Sequence, residues 1–288
     1  MAPGFDAVRY KQVQAATWNA ISAGWSLCQE EFERGGGPVT ARLLELGGVR
    51  PGHAVLDVAT GIGEPALTAA GVVGPTGRVV GIDLAPDMIA VARTRAGGLA
   101  NVEFLVGDLE SIGLPPASFD VVISRWGLMF AADHVAAFRS LARVLVPGGV
   151  LTAAVWGPPE EAPMLSLGFQ VLSSRLDLPA APPGAPGPFS MADAGAVGAE
   201  VAAGGFVDVE VTPFSVPFVL DSPERYAEFN KVVSPPELKM MIRERYGDEN
   251  DPATWAAVAE AVLPHRTANG RIDLTSKALL LRAVAAAV

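Results

Sequence analysis

From residue 54 the chain alternates short runs of Val, Ile and Leu with turns and helical stretches, at a period of roughly 25 residues. Five such runs stand out: Ala54–Ala59, Arg78–Asp83, Val102–Val106, Phe119–Ile123 and Gly149–Trp156. Each is nearly continuous in apolar residues, which marks a strand buried on both faces, as parallel sheets require. Helices are predicted from about Glu64 to Val73, from near Pro86 and from near Asp133. Strand, turn and helix repeating in this way predict a doubly wound α/β sheet.

The flanks carry other patterns. The first ~45 residues read as helical, with Tyr10, Val13, Ile21, Trp25, Phe32 and Leu43 supplying apolar contacts. Gly35-Gly36-Gly37-Pro38 predicts a break into two helices. After Trp156 a helix is expected over 161–178, then an irregular stretch over 179–188, where prolines and glycines alternate with alanines. Ser190 and Asp193 announce a helix ended by Gly204-Gly205. Val207–Leu220 alternates like a strand, Ser222-Pro223-Glu224 opens a helix, and two more are expected over 235–246 and 252–263. Arg271–Leu274 and Lys277–Val284 read as a last strand, with an Ala-rich end that also suits a helix. The resulting organisation is a helical cap over 1–48, a core over 49–158, and remaining strands with an inserted helical lid over 159–288.

Composition narrows the chemistry. Half of the 288 residues are hydrophobic, enough for a large core. No apolar run approaches the ~18 residues that cross a bilayer, and the start, Met1-Ala2-Pro3-Gly4, lacks the basic-then-apolar pattern of a secretory signal. One cysteine, Cys28, points to a reducing cytoplasm. A net charge of −10, with scattered Lys and Arg, disfavours a nucleic-acid partner. His53, His134 and His265 lie too far apart in sequence to announce a metal site. Oligomeric state is not legible.

Asp57-Val58-Ala59-Thr60-Gly61-Ile62-Gly63 sits where the first strand turns into its helix, so glycines let backbone approach a ligand there. Gly61-x-Gly63-x-x-Ala66, with Asp83 at the right offset for a ribose-binding acid, also satisfies the dinucleotide fingerprint. Two further acids decide between cofactors. Asp57, Asp83 and Asp108 all fall at or just beyond the carboxyl ends of successive strands. Asp83 suits ribose hydroxyls and Asp108 an adenine amino group. Asp57 would repel a pyrophosphate but tolerates a ligand carrying an ammonium and a sulfonium.

These segments, together with Gly81-Ile82-Asp83-Leu84-Ala85-Pro86-Asp87-Met88-Ile89, Gly107-Asp108-Leu109-Glu110, Phe119-Asp120-Val121-Val122 and Leu145-Val146-Pro147-Gly148-Gly149, resemble the class I S-adenosylmethionine-dependent methyltransferases. The nearest branch is the menaquinone/ubiquinone C-methyltransferase-like one. The resemblance implies a Rossmann-like, mostly parallel sheet of seven strands with the last antiparallel, helices on both faces, and S-adenosylmethionine as cofactor. It places Thr60, Gly61, Asp83, Asp108, Leu109 and Arg125 at the cofactor site, and extends the candidates to Asp57, Ala59, Gly63, Leu84, Met88 and Gly107. Ala59 stands where the commonest loop has its first glycine. Ser124-Arg125-Trp126-Gly127 replaces the Asn/Asp-Pro-Pro-aromatic clamp of nucleic-acid amino-methyltransferases.

The expected substrate is therefore a small apolar molecule, a quinone-like or natural-product scaffold. Trp18, Trp25, Trp126, Met129, Phe130 and Tyr226 are candidates for its wall, although each also suits an ordinary core. His134 is a weak candidate base, since a first-turn histidine is usually structural. Two competing readings are a nicotinamide-dependent oxidoreductase and a protein that holds the cofactor without methylating, such as a cyclase.

Overall fold

The computed structural model describes residues 5–182 and 184–286. Its elements, in chain order, are α1 (Ala7–Leu46), β1 (Ala54–Val58), α2 (Ala66–Val73), β2 (Arg78–Asp83), α3 (Pro86–Ala96), β3 (Val102–Val106), β4 (Phe119–Arg125), α4 (His134–Val144), β5 (Leu145–Trp156), α5 (Pro163–Leu176), α6 (Ala194–Ala203), β6 (Phe206–Val216), β7 (Val219–Leu220), α7 (Pro223–Val233), α8 (Pro236–Tyr246), α9 (Pro252–Glu260), β8 (Ile272–Asp273) and β9 (Ser276–Ala285). Seven strands form one sheet in the order β3-β2-β1-β4-β5-β9-β6. Strands β1 to β5 pair in parallel, while β9 runs antiparallel to both neighbours. The expected Rossmann-like sheet with its antiparallel last strand is present.

The near-continuous apolar strands divide their side chains between two layers. Val55, Val79, Val121 and Ile123 enter a core with Ala66, Ala70 and Val73 of α2 and Ile89 and Ala92 of α3. Their neighbours Leu56, Val80 and Val122 face the opposite way, against Phe138, Leu141 and Val144 of α4. Successive side chains of a strand point to opposite faces, so helices on both sides account for the absence of polar alternation.

Several expectations change. The Gly-Gly-Gly-Pro stretch does not break the first helix, and α1 runs 40 residues through Pro38. The glycines are contact points: a Cβ at Gly35 would lie 2.5 Å from the Phe218 ring, and one at Gly36 2.6 Å from the Arg125 guanidinium. Gly37 also lacks the Cβ that makes the helical conformation unfavourable before proline. The 207–220 strand is two, β6 and β7, and the tail likewise splits into β8, which pairs with β7, and β9. The Ala-rich end is strand, because it fills the gap between β5 and β6. Ser190 caps nothing. Asp193 caps α6 alone, while the Ser190 hydroxyl and the Gly187 N–H both donate to the Met129 carbonyl, at 2.7 and 3.0 Å. Of the proline-rich stretch, Pro183 lies outside the described residues, and no helix or strand flanks it within 178–188.

Gly35→Ala is expected to lower stability by about 1–2 kcal/mol, because overlap with Phe218 outweighs the gain in helix propensity. Gly71→Ala in α2, where a Cβ meets nothing within 4 Å, should raise stability by up to ~1 kcal/mol. Urea titration of both variants checks the opposite signs.

Candidate functional site

The chain steps outward from β1 to β2 to β3, then returns to place β4 on the other side of β1. Ligands of such sheets bind in the crevice opened by that reversal. Both strands that bound it end in a residue with left-handed backbone, Ala59 (φ 56°) after β1 and Trp126 (φ 61°) after β4. The two turns touch. A Cβ at Gly127 would lie 2.3 Å from that of Ala59, so only glycine fits.

On the β1 side, Asp57 is fully buried beneath the glycine loop. Its Oδ2 accepts from the Thr60 hydroxyl at 2.6 Å and from the Ala66 N–H at 2.9 Å, which ties the loop to the start of α2. Oδ1 is buried without a partner. Asp83, half-buried at the end of β2, accepts from the Gly61 N–H at 2.8 Å through Oδ2 and from the Ala85 N–H at 2.9 Å through Oδ1. Each oxygen keeps a lone pair for a ribose hydroxyl. Burial pushes the Asp83 carboxyl above its ordinary value, opposed by backbone donors. Gly61 (φ 54°) and Gly63 (φ 106°) need their glycines, and a Cβ at Gly61 would meet only open space. An open glycine turn above an orphaned carboxylate oxygen, flanked by an acid with free lone pairs, fits a cationic nucleoside such as S-adenosylmethionine.

The N-terminal half of α1 lies across this edge. Lys11 Nζ reaches Asp108 at 2.7 Å and Glu110 at 2.9 Å, and Asn19 accepts the Asp87 N–H at the start of α3 at 2.9 Å. Tyr10 donates to the Phe130 carbonyl at 3.2 Å. Sequence reasoning missed Lys11, because nothing in a helical period says which acid a lysine will meet. It also missed Arg95, which bonds the Ile62 carbonyl and braces the loop from α3. Met88 is buried with Ile21 and Ala85 under α1, and Gly107 donates to the Asp83 carbonyl at 2.9 Å. Leu84 and Leu109 are half-buried at the same edge.

An aromatic wall occupies the β4 side. Trp126 stacks on Trp156 with ring centres 4.4 Å apart, and Phe32 stands edge-on to both Trp126 and Trp25, at 5.1 and 4.8 Å. Trp18 sits edge-on to Phe130 at 5.3 Å. Four expected wall residues, Trp18, Trp25, Trp126 and Phe130, thus belong to one run of contacts from α1 to the end of β4. Of the inserted helices, α7 reaches it through Phe229, 5.9 Å from Trp25.

Other candidates sit elsewhere. Tyr226 is fully buried behind the wall between α7 and α5, its hydroxyl accepting the Gly168 N–H at 2.8 Å. The Met129 side chain is buried in the main core. Arg125 turns toward α1 rather than the cofactor rim: its guanidinium pairs with Glu33 and donates to Thr40 at 2.9 Å. Burial drives that pairing, since an unpaired buried guanidinium is costly. His134 has both ring nitrogens engaged, Nδ1 with Glu200 at 3.0 Å and Nε2 with Ser190 at 3.4 Å. It joins α4 to α6 rather than standing free as a base. Among the described residues no group of three metal-ligating side chains occurs.

Burial pushes the Asp57 carboxyl from 3.8 to about 7, against its two donors. The folded protein then holds a proton that the unfolded chain releases between those values, so this group's contribution to stability falls as pH rises through them. Asp57→Asn retains an oxygen for Thr60 and Ala66 and has no proton to lose. Urea titrations at pH 4.5 and pH 8 should show a smaller loss of stability for the variant than for the wild type.

Residues 56–153 match the methyltransferase domain family. The chain is 34% identical over 172 residues to a ubiquinone/menaquinone biosynthesis C-methyltransferase of Pseudomonas putida, covering 56% of this chain and 67% of that one. Against the enzyme of the same description from Ectopseudomonas mendocina it is 37% identical over 149 residues, 50% of this chain and only 58% of the relative's length. Among solved structures, the YcgJ protein of Bacillus subtilis superposes with a TM-score of 0.56 at 22% identity, covering 86% of this chain and 98% of that one, a likeness of fold alone. With the cofactor motifs folded into one crevice, these matches settle the family: the chain belongs to the class I S-adenosylmethionine-dependent methyltransferases.

Proposed function

We propose that this protein transfers a methyl group from S-adenosylmethionine to a small apolar acceptor, a quinone-like or natural-product ring, in the cytoplasm. One observation carries the reading: the Asp83-braced glycine loop and the aromatic wall meet directly, through Ala59 and Gly127, at the switch point of the sheet. The C-methylation named for the sequence relatives favours methyl transfer over a protein that only holds the cofactor.

The cofactor, when bound, supplies an activated methyl on a sulfonium, a leaving group that needs no protonation. What remains for this chain is to hold, orient and keep water out. Asp83 would take the ribose hydroxyls, Gly61 and Gly63 would let backbone come close, and the unpartnered Asp57 oxygen would favour a cationic group nearby. Asp108 would take the adenine amino group once Lys11 lets go of it. The aromatic wall would exclude water from the acceptor. An electron-rich ring carbon needs no strong base in the displacement. A nicotinamide dinucleotide fits less well, because its pyrophosphate would meet the acids of the rim.

Calorimetric titration tests the reading. S-adenosylhomocysteine should bind at micromolar concentration and NADH should not. Asp83→Ala should weaken S-adenosylhomocysteine by about ten- to a hundredfold, the worth of hydrogen bonds to a charged group. Tight NADH binding, or unchanged affinity in the variant, would overturn it.

A further inference from the structure

Resting on that reading, we propose that the indole N–H of Trp126 is the specificity contact for the acceptor, donating to a hydroxyl, phenolate or carbonyl oxygen on an aromatic ring. Trp126 is 8% exposed, yet its Nε1 is buried with no acceptor, and the Nε1 of Trp25 has the same deficiency. Other indoles are satisfied: Trp18 of the wall donates to Gln14 at 3.2 Å, and Trp255, away from the crevice, to the Glu249 carbonyl at 3.1 Å. A buried donor without a partner costs stability, and native proteins rarely keep one without a use for it.

The rings packed against Trp126 supply no acceptor, which leaves the place to one from outside the chain. Trp126 is packed against Trp156, Phe32 and Phe218, which offer ring faces and edges but no oxygen. The Arg125 guanidinium, 5.2 Å from the ring centre, has no lone pair to give. The backbone also holds the indole deliberately. Trp126 takes the left-handed conformation that bulky residues avoid, fixed by its N–H to the Ala154 carbonyl at 2.7 Å. Its neighbour Gly127 abuts Ala59 of the cofactor loop, so the residue that carries the donor adjoins the contact between the two turns. An aromatic ring held by its oxygen there would have that oxygen and the adjacent carbon placed near the cofactor loop.

The test uses the whole protein saturated with S-adenosylhomocysteine, and two probes of the same shape, α-naphthol and α-methylnaphthalene. Trp126→Phe keeps an aromatic ring and removes the donor. Wild type should bind α-naphthol more tightly than α-methylnaphthalene. The variant should lose roughly tenfold more affinity for α-naphthol than for α-methylnaphthalene. Equal losses for the two probes would make Trp126 a packing residue and overturn the proposal. Unchanged α-naphthol binding, or no preference for it in the wild type, would do the same. Trp25→Phe, measured in parallel, guards against a variant that fails to fold, since it removes the other unpaired donor. If neither variant folds, α-naphthol must still exceed α-methylnaphthalene in the wild type and lower its indole fluorescence. Failure of S-adenosylhomocysteine to bind at all would instead sink the cofactor reading beneath it.

Discussion

The contact between Ala59 and Gly127 is the constraint on which the site depends. Placing β1 beside β4 sends two turns into one crevice, and both must reverse quickly to feed their following elements. Left-handed backbone at Ala59 and Trp126 makes those reversals, and the missing side chain at Gly127 lets them touch. Everything with a chemical role hangs from these turns. Thr60, Gly61 and Gly63 follow the first, and the Trp126 ring belongs to the second. A side chain at 127 would push the cofactor loop and the aromatic wall apart.

Charge is handled by the same economy. Asp57 and Asp83 face inward and brace the loop, each against two hydrogen-bond donors. Asp108 and Glu110, further out, share Lys11 of α1 as their cation. The long helix therefore has two attachments of different kinds. Its middle is locked by the buried Arg125–Glu33 pair and by glycines in contact with Phe218 and Arg125, whereas its start is held by a partly exposed lysine bridge and a few polar contacts. Partly exposed ion pairs contribute little to stability and yield to competitors. The start of α1 is thus the less firmly held of the two attachments.

Much of this was legible in the chain. Near-continuous apolar runs gave five parallel strands because burial on both faces leaves no polar alternation, and the acids at their carboxyl ends could be placed before any coordinates. The glycine-proline stretch misled, since its glycines answer to Phe218 and Arg125, residues roughly 180 and 90 positions away. No local pattern carries such a demand. The packing partners of Arg125, Tyr226 and Met129 were hidden for a related reason. A periodicity says that a residue is buried but not which neighbour it meets, and all three point into packing rather than toward the crevice. Lys11 was invisible because one lysine on an amphipathic helix looks like any other.

The crystal structure of the S-adenosylhomocysteine complex tests the central claim most directly. The account predicts the ribose hydroxyls on Asp83, the ligand seated between the glycine loop and Trp126, and Lys11 drawn away from Asp108. A ligand bound away from that crevice, or bound there with the Lys11–Asp108 bridge intact, would contradict it.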